Sequence, residues 1–86
     1  MLTVADFTLS PMGVGPSVSS YIALVKQVLD TQCPLLKVEY TMHSNGTNLT
    51  GEWDAVLEVV KQCRDVVHVQ GGVARVGCSV SMWTSE

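Results

Sequence analysis

Apolar residues along this chain recur first at every second position, then at every third or fourth, then at every second again, and the cycle repeats. This order of periods constrains the fold more than any motif, because a period of two is a half-buried strand and a period near 3.6 is a helix face. From Leu2 to Ser10, Ala5, Phe7 and Leu9 alternate with Asp6, Thr8 and Ser10, which predicts a strand. Pro11 to Pro16 reads as a turn containing Gly13 and Gly15, and Ser17 stands where a helix N-cap belongs. Val18, Tyr21, Ile22, Val25, Val28 and Leu29 then form one stripe on a helix expected to end near Gln32. Cys33-Pro34 is the expected stop, since the residue before proline avoids helical geometry.

Leu36, Val38, Tyr40 and Met42 alternate with Lys37, Glu39, Thr41 and His43 in a second predicted strand. Ser44-Asn45-Gly46 is a turn signal that predicts a hairpin into a short strand, Thr47 to Thr50. Trp53, Val56, Leu57, Val60, Cys63 and Val67 recur at helical spacing, so a second helix is expected from about Glu52 to His68, with Gly71-Gly72 as its exit. Val73 to Trp83 is the last predicted strand. Ala74, Val76, Cys78, Val80 and Met82 share one face, and Arg75, Gly77, Ser79, Ser81 and Trp83 the other. No linker or low-complexity tract interrupts the order, so residues 1–86 read as one domain. The expected fold is α+β: a ferredoxin-like βαββαβ sandwich with a four-stranded antiparallel sheet and both helices on one face.

Composition narrows the function classes. Hydrophobic residues make up 47% of the chain and charged residues 15%, which excludes a disordered segment. A core this small is marginal, so burial against a second copy is a natural remedy. A net charge of −3 with 5 cations argues against nucleic acid as partner. No apolar run is long enough to span a bilayer, and residues 1–10 lack the pattern of a signal peptide. Cys33, Cys63 and Cys78 are odd in number and widely spaced, without the short paired spacing of a zinc site. They read as reduced thiols in a cytoplasmic protein with no metal and no cofactor. Asn45-Gly46-Thr47 and Asn48-Leu49-Thr50 fit a glycosylation pattern but read as turn and strand chemistry. Neither His43 nor His68 has an evident carboxylate partner in sequence, and nothing marks a catalytic nucleophile.

The segment PMGVGPSVSSYIA, residues 11–23, carries the most specific signal. Its glycines let backbone amides approach a ligand, and the following helix offers unpaired N–H groups. A glycine-shaped turn into a capped helix explains the same residues without a ligand. The turn Pro11-x-Gly13-x-Gly15, with Ser17-Val18-Ser19 and Tyr21-Ile22-Ala23, resembles the small thiamine-binding-protein family, the YkoF-like single-domain group. Tyr40-Thr41-Met42, Gly46-Thr47, Gly51 with Trp53-Asp54, and Val73-x-Arg75-Val76 extend the likeness over nearly the whole chain.

That resemblance implies a non-enzymatic cytosolic binder of thiamine or its pyrimidine part, acting as carrier or sensor and assembling as dimers or tetramers. Asp6 falls where the family pattern places an acid in the first strand, and Glu39 shares its sheet face. The candidate ligand-binding set is Asp6, Ser10, Gly13, Ser17, Ser19, Tyr21, Met42, Asn45 and Thr47. Met12 and Trp83 are further candidate walls, while Tyr21 and Met42 are equally well explained as core. The chain departs from the family at Thr50, where an acid is common, and after Ser81, where Met82-Trp83-Thr84-Ser85-Glu86 replaces a charged run. The open sheet face is expected to carry Asp6, Thr8, Ser10, Lys37, Glu39, Thr41, Arg75, Gly77, Ser79 and Ser81. Its small residues admit close approach of another surface, so Thr8, Gly77, Ser79, Ser81 and Trp83 are candidate interface positions. The alternative function is a structural or regulatory homo-oligomer whose open face serves assembly only.

Overall fold

Alternation in the first strand decides the arrangement of the layers. Thr3, Ala5 and Phe7 point inward and are buried, while Leu2, Val4, Asp6, Thr8 and Ser10 point outward. A computed structural model describes residues 1–15 and 18–86. Its elements are β1 (Leu2–Pro11), α1 (Ser19–Leu36), β2 (Glu39–His43), β3 (Gly46–Glu52), α2 (Trp53–Val69) and β4 (Val76–Ser85). The sheet order is β2-β3-β1-β4, and every neighbouring pair is antiparallel. This is the expected βαββαβ ferredoxin-like sandwich. The core lies between the inner sheet face (Ala5, Phe7, Leu49) and the helices (Val25, Leu29 and Cys33 of α1; Val56, Val59, Val60, Cys63 and Val67 of α2).

The β2–β3 hairpin forms as expected. His43 pairs with Gly46 across a two-residue turn, and β3 is longer than predicted, running to Glu52. Gly46 is required there by close approach. A Cβ on it would stand 2.6 Å from the Phe7 carbonyl oxygen and 2.8 Å from Thr8 Oγ1.

Five expectations change. Helix α1 does not stop at Cys33-Pro34 but carries Pro34 within its last turn and ends at Leu36. The buried Cys33 and half-buried Leu36 reward the extra turn and offset the helix hydrogen bond to the Asp30 carbonyl that Pro34, lacking an N–H, cannot donate. Lys37, expected on the open sheet face, instead closes the helix in a left-handed conformation with φ 57°, its N–H donating to the Cys33 carbonyl. The N-cap position belongs to Val18, without a side-chain cap, and Ser17 lies outside the described residues. On α2, Trp53 and Leu57 are exposed and Val59 takes a buried place on the stripe. Finally, β4 begins at Val76, after a buried Val73 whose carbonyl accepts a hydrogen bond from His68 Nδ1–H at 2.9 Å. Arg75 and Ala74, assigned to opposite strand faces from the sequence, therefore precede the strand. The inner face of β4 is only partly roofed by the helices, and Cys78 and Val80 remain exposed.

Burial pushes the Cys63 thiol up to about 12 from its ordinary 9.0. The folded state therefore holds this proton more tightly than the unfolded one. Its stabilising contribution is intact below pH 9 and is lost between there and about 12. Unfolding in urea should show stability falling above pH 9, with a shallower fall in Cys63→Ala. In the native protein near neutral pH, a thiol-specific chromogenic disulfide should react with Cys78 alone, since Cys33 and Cys63 are buried. Three fast thiols would show that the layer between the helices is open.

Candidate functional site

Strand β1 outruns its hairpin partner. Its pairing with β3 ends at Phe7 opposite Thr47, whereas its pairing with β4 continues to Pro11 opposite Val76. Beyond Phe7 the inner side of β1 has no β3 neighbour, and a groove of about 530 Å³ opens there. Its floor is Phe7, Leu9 and Met42, with Val67 of α2 behind. One wall is the first two turns of α1, which present Val18, Tyr21, Ile22 and Val25. The opposite lip is Thr8, Ser10 and the hairpin from His43 to Thr47. Among the described residues, no lysine, arginine, aspartate or glutamate lines it.

The first turns of α1 explain why the groove is apolar. The stripe predicted from spacing continues past the sheet, so Val18 is 38% and Ile22 49% exposed while Val25 and Leu29 are buried. The Tyr21 ring lies against Gly71, where a Cβ would approach two ring carbons to 3.1 Å. Tyr21 and Met42 pack on the core and line the groove at once.

Hydrogen bonds hold the lip in place. Thr8 Oγ1–H donates to the Asn45 carbonyl at 2.8 Å. The Asn45 backbone N–H donates to His43 Nδ1 at 3.2 Å, and His43 Nε2 lies 3.0 Å from Asp6 Oδ1. An Nδ1 that accepts must carry no hydrogen, so the neutral ring has its proton on Nε2 and donates it to the Asp6 carboxylate. Asp6 is thus the carboxylate partner of His43, which sequence reasoning had left without one. The pairing was within reach of the pattern, because alternation puts both side chains on the outer face.

The groove lining gathers Ser10, Tyr21, Met42, Asn45 and Thr47 from the predicted set. Asp6 stands behind the lip and meets the lining through His43. Gly13 and Ser19 are not among the lining residues, Met12 and Trp83 lie elsewhere, and Ser17 falls outside the described residues. Val18, Ile22, Val25, His43 and Ser44 were missed. The helical residues read from spacing only as one apolar stripe, and the termination of the hairpin reveals that α1 overhangs. No group of three residues able to hold a metal occurs among the described residues.

Residues 5–84 match the family described as thiamine-binding protein. The chain belongs to that family. It is 39% identical over 71 residues to the UPF0045 protein of Synechocystis sp., covering 83% of this chain and 55% of the relative. It is 33% identical over 73 residues to the UPF0045 protein ECM15 of Eremothecium gossypii, covering 83% of this chain and 65% of the relative. The matched region thus spans less than two thirds of either relative. Among solved structures, a hypothetical protein of Methanocaldococcus jannascii superposes with a TM-score of 0.82 at 26% identity, over 99% of this chain and 81% of that one. A candidate thiamine biosynthesis/salvage protein of Thermotoga maritima shares the fold with a TM-score of 0.71 at 10% identity, over 99% and 85%.

Adding a methyl at Gly46 should break the lip, because β1 backbone occupies the space. Gly46→Ala is expected to cost about 1–3 kcal/mol in urea unfolding. It should also shift the amide signals of Thr8 and Asn45. A neutral effect would mean that the hairpin is not seated against β1 as described.

Proposed function

We propose that this chain binds thiamine or a related pyrimidine compound in the groove between α1 and the hairpin lip, as a non-catalytic carrier or sensor. The observation that carries the reading is the exposed apolar wall of Val18 and Ile22 beside the Tyr21 ring, facing a polar lip, in a member of the thiamine-binding protein family. Small-molecule sites have this character: a mostly apolar cleft with a few convergent polar groups. Thiamine offers a flat aminopyrimidine, which needs an apolar slot and in-plane partners, and a cationic thiazolium, which needs a negative neighbour. In this reading Tyr21 and Met42 form the slot. Ser10, Asn45 and Thr47 supply polar partners. Asp6 supplies the charge through the lip.

The binding role is favoured over catalysis by the state of His43. With the turn in place both ring nitrogens are engaged, one accepting from Asn45 and the other facing Asp6, so the neutral ring presents no free lone pair to the groove unless the Asn45 contact is given up. Three unpaired thiols agree with a reducing, cytoplasmic setting. No helix among the described residues is long and apolar enough to cross a membrane.

The second reading, assembly, has its own support. Strand β4 is an edge strand of 10 residues without a charge or a proline. Isolated edges are usually blunted by such residues. On the open face Trp83 is 66% exposed and pairs across the strands with the exposed Val4, next to Leu2. Thr8, Gly77, Ser79 and Ser81 share that face. We therefore include a homo-oligomer, dimer or tetramer, in the proposal.

Calorimetry with thiamine and with hydroxymethylpyrimidine tests the ligand. Thiamine at 100 times its dissociation constant should add about 2.7 kcal/mol to stability. Ile22→Glu places a charge on an exposed groove wall, so it should abolish the heat of binding while leaving the melting temperature of the free protein nearly unchanged. No heat and no melting shift with either compound would refute the ligand assignment. Native mass spectrometry of the wild type and of Ser79→Trp separates assembly from binding, because the bulky variant should dissociate the oligomer without emptying the groove.

A further inference from the structure

The lip of the groove is tied by a histidine that serves as hydrogen-bond acceptor, and that role exists in only one protonation state. We propose that His43 is a proton-operated latch: neutral, it holds the Asn45 amide and fixes the hairpin lip at the border of the groove; protonated, it releases that amide and loosens the lip. The site is the one read above as a ligand groove, and the inference rests on that reading for its consequence, though not for its mechanism.

The geometry carries the argument. Nδ1 accepts the Asn45 N–H at 3.2 Å, and Nε2 faces Asp6 Oδ1 at 3.0 Å. A second proton must go to Nδ1, because Nε2 already carries one. Two N–H groups then point at each other, and the Asn45 contact is lost. The Asp6 contact survives as an ion pair, so the ring stays in place while the turn lets go. Asp6 is the charged group that β1 presents to the ring. To the same face, β3 brings Gly46 and Asn48, and β4 brings Ser79 and Ser81, none of them titratable. Glu39 lies farther along β2 on that face, and across the groove α1 presents the phenol of Tyr21. After release, Asn45 itself is still held by the hydrogen bond from Thr8 Oγ1–H to its carbonyl. The lip therefore loosens without leaving the sheet.

Amide and ring resonances followed from pH 8 to pH 5 test the latch without any ligand. The Asn45 amide should move with the same midpoint as the His43 ring. Its exchange protection, corrected for the intrinsic rate, should fall about 2- to 10-fold, the range for loss of one hydrogen bond. In His43→Phe the Asn45 amide should sit at its acidic position already at pH 8 and cease to respond. In Thr8→Val, which removes the second tether, the acidic response should grow and spread to Ser44. A His43 ring that titrates beside a static Asn45 amide would overturn the latch, as would an unchanged Asn45 signal in His43→Phe. Thiamine separates the two claims: binding with a static Asn45 removes the latch alone, whereas a coupled Asn45 shift in a protein that ignores thiamine removes the ligand alone.

Discussion

The central constraint in this molecule is a mismatch of lengths along β1. One edge of that strand is paired with β4 to Pro11, while the other loses its β3 partner after Phe7. A sheet that ended flush would bury the first turns of α1 against strand backbone. Here the hairpin turns back at Ser44 and Asn45, so the apolar stripe of α1 continues beyond the surface it was built to cover. Val18 and Ile22 then face a cavity instead of a core. The same three- and four-residue spacing that folds the helix thus supplies the wall of the groove, and no separate sequence device is needed to make it apolar.

A second mismatch acts at the opposite side of the sheet. Two helices cannot roof four strands evenly, and β4 receives the least cover, leaving Cys78 and Val80 exposed on its inner face. On the outer face of the same strand, small residues alternate up to Trp83. An edge strand with exposed apolar groups on both faces and no charge is unlike the protected edges of monomeric sheets. The low charge of the chain has a location as a result. It is concentrated in β4 and in the groove lining, the two places where the fold leaves apolar surface without intramolecular partners.

Most of the fold was legible because it follows from period alone. Strands 1 and 2, both helices and the hairpin are written in alternation and spacing, and Asn45-Gly46 marks the turn. What escaped was what depends on tertiary competition. Proline at position 34 is a local stop signal, yet Cys33 and Leu36 are held against the core and carry the helix past it. Lys37 followed the alternation on paper, but the chain needed a left-handed residue there to leave the helix. The site was less legible than the fold for a related reason. A stripe at helical spacing says that Val18 and Ile22 are apolar, and nothing in it says where the sheet beneath them ends. His43 and Asp6 lie 37 positions apart, and their meeting depends on the register of three strands. Alternation gave each residue its face; the register sets Asp6 level with Thr41, and His43, two residues further on opposite Gly46, reaches it diagonally.

The location of the groove also determines how binding energy would be distributed. Its floor belongs to the core, through Phe7 and Val67, and is rigid by virtue of packing. Its lip is a two-residue turn held by Thr8 and His43, and its wall begins at a helix terminus without a side-chain cap. Terminal turns and hairpin loops open at a small fraction of the global unfolding free energy. A molecule that fills the groove therefore gains from a preformed floor and is charged only for ordering the two borders. Most of its ordering effect would be spent on the α1 entrance and the hairpin rather than on the sheet. That division makes the borders, where Tyr21, Ile22, His43 and Asn45 stand, the part of the structure in which selectivity can change without altering the fold.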